Sequence, residues 1–453
     1  MKQAKYILLV LALITFHGVT SRAQQNDTKE FTAGGLKIIL KKTPKDIITA
    51  TLFIKGGVAN ITTEQQGLEQ LALNLALNGG TTTIDKYALT TELDRLGTTF
   101  RASSAKDFSE VVMTCLKDNW ARSWTLFTDA ILNPAMDQQE FNIIKDQMIA
   151  QAKDQEANPD VYLRKLSTEQ IFAGTDYAKS PAGVPETLEK FTWDDTKKYY
   201  GTVLGKKRSF LVIVGNIDEK DVSDKISGTL ARLPEGSAAR KPTYNTIKTA
   251  SVNIKDRDIA TNYIIGAGNG PKYFSPEGPL FEFAMSILYD RYFVELRTKR
   301  SLSYAPSAGY VNNLIESPIS RVYISTIDPK QSLQVMTDII NDIKKNGFTE
   351  KEVANKKKEY LTEYYMRNES SSSLAHTLGF CEASGDWRIF DEINNKIGTV
   401  KTGNLNGVFN KYMSNIAWTY LGKKDKVAEA DFRQPAPGIE KLPGSKVIKQ
   451  KRG

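Results

Sequence analysis

The chain has 453 residues, of which 40% are hydrophobic and 25% charged, and it carries a formal net charge of +9. This composition excludes a disordered chain, and the length is sufficient for two to four domains with a large buried core. The charge is mild for this size and no nucleic-acid-binding motif accompanies it, so nucleic acid is not expected as a partner.

The first residues have the features of a secretory signal. Lys2 and Lys5 precede an apolar run from Ile7 to Phe16 that is too short to span a bilayer, and a small-x-small cleavage site ends at Ala23. We therefore expect residues 1–23 to be a signal peptide and the mature protein to be exported to the periplasm or the cell exterior. A retained anchor is the less favoured alternative because no stop-transfer flank follows.

Two parts of the chain show the same order of elements. In the first part, Leu36–Gly57 reads as two alternating strands, and a helix is predicted from Thr63, as N-cap, to Asn78. Gly79 follows as a helix-ending glycine. In the second part, Ala250–Gly270 has the same strand pattern, and a helix is predicted over roughly 275–299.

The two parts match again further along. Met136–Asp160 and Phe348–Ser371 both begin with a cap-x-x-Glu box. Thr192–Asp218 and Lys401–Asp425 both run helix, short loop, strand and glycine. Four matched segments in the same order predict an internal duplication. The fold class is therefore α+β, with two homologous halves, each a mostly antiparallel sheet covered by helices, that face each other as a clamp.

The predicted domain limits follow from this duplication. The stretch around 234–249 is rich in Pro, Gly, Ser and Lys and is predicted to be a linker. The first half then spans residues 29–233 and the second 250–430, and residues 431–453 form a basic tail.

Cysteine and histidine offer little chemistry. Cys115 and Cys381 are predicted to be two buried thiols, with a disulfide as the alternative that export would permit. After loss of the signal, His376 is the only histidine in the sequence. Its Ser-rich surroundings predict a helix cap, because the third group of a Ser-His hydrolase is not visible. The glycines of 266–270 are interpreted as a strand end, because Pro271 follows where a dinucleotide-binding helix would begin.

Two residues in the second half, Arg297 and Tyr304, lie seven positions apart across a predicted helix end. Arg297 is predicted to end a helix and Tyr304 to open the next strand, so that a tight connection brings a guanidinium and a phenol into one space. A guanidinium offers fixed donors to a peptide carbonyl or carboxylate, and a phenol can donate to an oxyanion. The alternative is ordinary packing, with the arginine placed favourably at a helix C-terminus.

The glycine-ended strand, Gly67, the helix with its Gly-Gly-Thr end and the segment LRTKRSLSY resemble the insulinase/pitrilysin family of zinc peptidases, which includes the mitochondrial processing peptidases. In that family the helix carries H-x-x-E-H, in which two imidazoles bind zinc and the glutamate is the general base. Counted from Gly67, Glu69 and Leu73 occupy the histidine positions and Ala72 the position of the base.

The third ligand of the family, a glutamate, falls near Ala150 and Gln151. Because no position of this set offers a histidine, the zinc site is degenerate and no metal is expected in this chain. Glu69 is expected to be a surface carboxylate at the start of a buried helix.

The resemblance implies a division of labour between two chains. This chain would be a zinc-less subunit of a heteromeric metallopeptidase, inactive alone, whose Arg297 and Tyr304 assist a homologous zinc-bearing partner in cleaving a peptide or unfolded protein. The alternative of a different class is a non-catalytic assembly or peptide-binding scaffold, as the family's core subunits of a respiratory complex illustrate. An independent enzyme has no supporting constellation of residues.

Overall fold

A computed structural model describes residues 28–432. The predicted signal peptide and nearly all of the predicted basic tail lie outside these residues. No helix in the described range is long and apolar enough to cross a membrane. Cys115 and Cys381 are both buried and unpaired, as predicted.

The first half contains a six-stranded sheet in the order β1-β2-β6-β3-β5-β4. Its strands are β1 (Thr28–Ala33), β2 (Leu36–Lys42), β3 (Ile47–Lys55), β4 (Thr99–Ser104), β5 (Phe108–Leu116) and β6 (Ser209–Gly215). Its helices are α1 (Leu68–Asn78), α2 (Lys86–Leu96), α3 (Trp120–Leu132), α4 (Gln138–Ala157), α5 (Pro159–Phe172), α6 (Pro185–Leu188), α7 (Trp193–Val203) and α8 (Glu219–Gly228).

The second half contains a five-stranded sheet in the order β7-β11-β8-β10-β9. Its strands are β7 (Ser251–Asp256), β8 (Asn262–Asn269), β9 (Ser307–Val311), β10 (Ile319–Thr326) and β11 (Ala417–Gly422). Its helices are α9 (Gly278–Tyr292), which continues as a π-helical segment (Phe293–Lys299), α10 (Pro329–Asn346), α11 (Glu350–Arg367), α12 (Ser371–Ser384), α13 (Ile389–Gly398) and α14 (Thr402–Tyr412).

The two sheets have the same topology once β1 is set aside. The order β2-β6-β3-β5-β4 repeats as β7-β11-β8-β10-β9. In each sheet the first pair, β2 with β6 and β7 with β11, is parallel and the remaining pairs are antiparallel. A shared order with the same parallel pair confirms the predicted duplication.

Most predicted helices are present, and their starts follow the capping residues. The Asp137 side chain accepts the Glu140 N–H at the start of α4, and Thr349 with Glu352 forms a complete capping box at the start of α11. At α4 the box is incomplete because the Glu140 carboxylate binds Lys86 instead, at 2.5 Å. The Ser370 side chain caps α12, which agrees with the predicted cap beside His376.

The predicted start of α1 at Thr63 is wrong, because the helix begins at Leu68 after a left-handed Gly67 with φ 91°. A Cβ at Gly67 would lie 2.7 Å from the Gly183 Cα, so the chain approaches a loop of the same half too closely for another residue. The Gln66 amide also accepts a hydrogen bond from the Ser180 N–H, at 2.6 Å. A long-range contact therefore overrides the local capping pattern.

The two halves exchange one helix each. Helix α5 of the first half packs on β8 and β11 of the second sheet, and α12 of the second half packs on β3 and β6 of the first. Ile265 and Leu421 accordingly belong to the core of the first half, and Phe53 and Phe210 to that of the second. The halves thus face each other through shared hydrophobic cores, and residues 233–250, which contain no helix or strand, connect them.

The tips of the two edge hairpins also meet. Asp107 lies in the turn between β4 and β5, and its carboxylate accepts the Ile315 N–H, from the loop between β9 and β10, at 3.0 Å. The same carboxylate accepts the Tyr177 hydroxyl at 2.7 Å, and that hydroxyl accepts the Glu316 N–H at 2.9 Å. Burial raises the pKa of Asp107 to about 6. Edge strands β4 and β9 are therefore tied together through their loops.

Candidate functional site

The connection between α9 and β9 carries the candidate site. The helix continues through a π-helical segment that ends at Lys299, and Ser301, two residues later, is a non-glycine residue in the left-handed region with φ 51°. The Leu302 N–H donates to the Leu296 carbonyl at 2.8 Å, which joins the residue after this turn to the helical segment. The chain then turns back toward β9, so that residues on both sides of the turn come together.

The structure brings Arg297 and Tyr304 into contact, as predicted. The Arg297 guanidinium carbon lies 4.1 Å from the ring centre of Tyr304 and 4.8 Å from that of Phe293. The guanidinium is therefore in cation–π contact with two rings, an arrangement that fixes its plane. Tyr304 lies three residues before β9 and does not open the strand, and its side chain is 79% exposed.

Phe293 was not predicted as part of this site. It lies four residues before Arg297, so the two side chains share one face of the helical segment, and its ring also contacts Tyr289 at 6.1 Å between centroids. The i,i+4 spacing of Tyr289, Phe293 and Arg297 was a signal in the sequence that could have indicated this row of residues.

The charges around Arg297 leave its donors free. Glu295, the nearest acidic residue along the chain, binds Lys299 at 2.5 Å and Arg300 at 3.2 Å. Within residues 28–432, Arg297 has no ion pair and no hydrogen bond. A fixed guanidinium with unused N–H groups beside an exposed phenol is suited to bind a carbonyl, a carboxylate or an oxyanion.

A cavity of about 480 Å³ borders the other side of the π-helical segment, but its charges are already paired. Arg291, in its wall, binds Glu352 and Asp342 at 2.8 Å each. Because Arg297 and Tyr304 do not line this cavity, we do not assign it to the site.

The expectation that Glu69 is a surface carboxylate is wrong, because only 2% of the residue is exposed. Its carboxylate accepts hydrogen bonds from the Tyr199 hydroxyl at 2.5 Å, from the Asn60 amide at 3.2 Å and from the Ser109 hydroxyl. Burial raises the pKa of the Glu69 carboxyl, against the effect of these donors. Glu69 therefore joins α1 to β5 and α7 and does not face an opening.

The other counted positions do not form a site either. Ala72 and Leu73 are buried in the core, and Gln151 is exposed on α4 beside the buried Ala152. The partly exposed face of α1 carries Gln70 and Asn74, one turn apart. These two positions could present ligands to an ion, and each lies one residue after a counted histidine position, Glu69 or Leu73.

Zinc ligands are found neither at the positions counted from Gly67 nor at the positions one residue later. Amides replace imidazoles at Gln70 and Asn74, and among the described residues no three His, Cys, Asp or Glu side chains form a group that could hold a metal. The residues present therefore do not fit the zinc of the family pattern.

Arg321 on β10 has a buried side-chain nitrogen, which the sequence did not indicate. Its Nε is buried without a hydrogen-bond partner, and no ion pair to it occurs in the described part of the chain. Burial lowers the pKa of its guanidinium, and Arg164 lowers it further. Its direct neighbour on the edge strand is Gly309.

Two family models match the chain, and it is similar to several known proteins. Residues 37–184 match the family model described as Insulinase (Peptidase family M16), and residues 190–360 match the model described as Peptidase M16 inactive domain. The non-peptidase homolog YmxG of Helicobacter pylori is 25% identical over 341 residues, which are 72% of this chain and 77% of that protein.

The uncharacterized zinc protease YmxG of Bacillus subtilis is 21% identical over 382 residues, 83% of this chain and 92% of that protein. Among solved structures, a peptidase M16 inactive domain from Pseudomonas fluorescens has a TM-score of 0.80 at 19% identity and covers 88% of this chain and 98% of its own. This likeness shows the same fold.

Proposed function

Because the chain belongs to the M16, or insulinase, family of peptidases, we propose that it is an exported, zinc-less subunit of a heteromeric metallopeptidase. In this role it binds an extended peptide and supplies Arg297 and Tyr304 to the zinc site of a homologous partner. The observation that carries the proposal is the Arg297 guanidinium, in contact with two rings and without an acidic partner. The relative named a non-peptidase homolog fits a chain without zinc.

Each side chain has a distinct task in this proposal. The ring contacts hold the Arg297 plane, so its N–H groups can donate to a carbonyl or carboxylate of the bound peptide without a loss of side-chain freedom. The Tyr304 hydroxyl donates to the oxygen that becomes negative when the partner's nucleophile adds to the scissile carbonyl. Zinc, the nucleophile and the general base belong to the partner.

The test is a steady-state assay of the chain mixed with a homologous subunit that carries an intact H-x-x-E-H motif. The chain alone should cleave no peptide, and activity should rise with the proportion of mixed complex. Tyr304→Phe removes one hydroxyl and little volume, and loss of an oxyanion donor lowers kcat by about 10²–10³-fold. Arg297→Ala should also raise KM, because the guanidinium binds the substrate before reaction.

Tyr87→Phe is the matched control, because Tyr87 is 80% exposed and lies on α2, away from the site. It should leave kcat and assembly unchanged. If Tyr304→Phe and Arg297→Ala complexes assemble and cleave at the wild-type rate, the pair has a packing role and the proposal fails.

The second candidate is a scaffold of the same fold without a part in hydrolysis. Gln70 and Asn74 place amides at both accessible ligand positions on α1, and this observation favours the scaffold as much as the first proposal. The two proposals differ in one outcome. If this chain is a scaffold, the zinc-bearing partner is fully active without it, and only the assembly or location of that partner depends on this chain.

A further inference from the structure

Gln70 closes part of the edge of the first sheet. This sheet ends at β4, against which α1 packs. The Gln70 side-chain amide donates to the Ala102 carbonyl at 3.2 Å and accepts the Ser104 N–H at 2.7 Å. One amide thus satisfies two backbone groups of the edge strand, as one residue of a parallel neighbouring strand would.

The register of the hairpin shows that these groups point outward. The Ala105 N–H donates to the Phe108 carbonyl, and Ser103 and Arg101 occupy equivalent positions along the ladder with β5. In an antiparallel pair these alternate residues bond to the neighbouring strand, and the residues between them turn their backbone away. Ala102 and Ser104 therefore belong to the free edge, where an added peptide would bond.

The equivalent edge of the second sheet has no such side-chain closure, although α9 packs against β9 as α1 packs against β4. The Gly270 N–H donates to the Pro318 carbonyl, so alternate residues of β10 bond to β8 and the residues between them bond to β9. By the same alternation, Ala308 and Tyr310 of β9 turn their backbone outward. Over residues 28–432, no side chain hydrogen-bonds to a backbone group of Ser307–Val311.

The β9 edge is also the one beside the candidate site. Tyr304 precedes the first residue of β9 by three positions. Because an extended chain advances by about 3.3 Å per residue, a peptide on β9 would begin within roughly 10 Å of Tyr304.

We infer that Gln70 closes the β4 edge to added strands and that an extended peptide adds to β9 as a further strand of the second sheet. This inference rests on the proposed function, which requires peptide binding, and it specifies the edge. Main-chain hydrogen bonds would give affinity with little dependence on sequence, as in other cases of strand addition.

The experiment is hydrogen exchange of the whole mature chain, with and without a capped eight-residue peptide of alternating Thr and Val as the probe. In the wild type, the peptide should slow exchange at Ala308 and Tyr310 and leave β4 unchanged. In Gln70→Ala, the Ser104 N–H loses its acceptor, so its exchange without peptide should be about tenfold faster. The peptide should then slow exchange in β4 as well.

Asn74→Ala is the matched control, because Asn74 lies one turn further on the same face of α1 and makes no side-chain hydrogen bond among the described residues. Its β4 exchange should equal that of the wild type. Unchanged exchange of Ser104 in a folded Gln70→Ala protein, or slowing of β4 by peptide in the wild type, would overturn the inference.

Two further outcomes separate the inference from the proposed function. If the peptide slows hydrogen exchange in neither β4 nor β9 in any variant, the proposal that this chain binds peptide is wrong. The exchange rate of the Ser104 N–H still decides whether Gln70 closes the β4 edge. If β4 exchange in Gln70→Ala slows with protein concentration and without peptide, the opened edge takes a second copy of the chain, and the assignment to peptide is overturned.

Discussion

Replacement of Asp107 by asparagine should change how stability depends on pH. Only 8% of Asp107 is exposed, and burial raises its pKa from 3.8 to about 6. The folded state therefore favours the protonated carboxyl. The resulting contribution to stability is fully present below about pH 4 and is lost as the pH rises through 6.

The size of this contribution follows from the pKa values. A shift from 3.8 to about 6, at 1.36 kcal/mol per pH unit, corresponds to about 3 kcal/mol. Asparagine has no titration in this range. It can accept only one of the two hydrogen bonds from Tyr177 and Ile315, but this loss changes stability equally at every pH.

The measurement is urea unfolding of wild type and Asp107→Asn at several pH values between 4 and 7. All other titrations cancel in the difference between the two proteins. The free energy of unfolding of the wild type, relative to the variant, should fall by about 2.4 kcal/mol between pH 4 and 7, and the full change of about 3 kcal/mol should be half complete near pH 5, midway between the two pKa values. A difference constant to within about 0.5 kcal/mol would show that the hairpin contact does not hold a desolvated carboxyl.

Two further predictions concern packing and buried charge. Gly379→Ala on α12 should lower the free energy of unfolding by about 1–3 kcal/mol, because the added Cβ would lie 1.9 Å from the Phe53 ring. Gly403→Ala on α14 is the control: no atom lies within 4 Å of its added Cβ, so it should be neutral or stabilise by up to about 1 kcal/mol. Thermal unfolding of the two variants and the wild type measures both effects. Arg321→Met should raise stability by about 1 kcal/mol in urea unfolding, because it removes a buried Nε without a partner, and the exposed Arg164→Met should change it by less than about 0.5 kcal/mol. A loss of stability in Arg321→Met would mean that the guanidinium is satisfied.

The features that were predicted correctly are those that depend on local sequence patterns. The repeated order of elements indicated both sheets, and Asp137 and Thr349 marked helix starts, because capping depends on neighbours three residues away. The contact between Arg297 and Tyr304 followed from a short connection and a family resemblance. Phe293 was missed although its spacing was visible.

The errors in the first half come from contacts between residues distant in the sequence. The start of α1 depends on the approach of Gly67 to Gly183. The burial of Glu69 depends on Tyr199, which lies 130 residues further along the chain. The leucines of α1 fix the direction of its apolar face but do not decide whether position 69 or 70 faces an opening, so the family motif was placed one residue early.

The exchange of α5 and α12 makes each half depend on the other to cover its sheet. A half on its own would leave one face of its sheet bare, including Phe53 and Phe210 in the first half. Two copies of one such half could bury these faces in the same way, as a symmetric dimer in which each copy packs a helix on the other. Separately expressed halves should accordingly be insoluble alone and recover a folded complex when produced together.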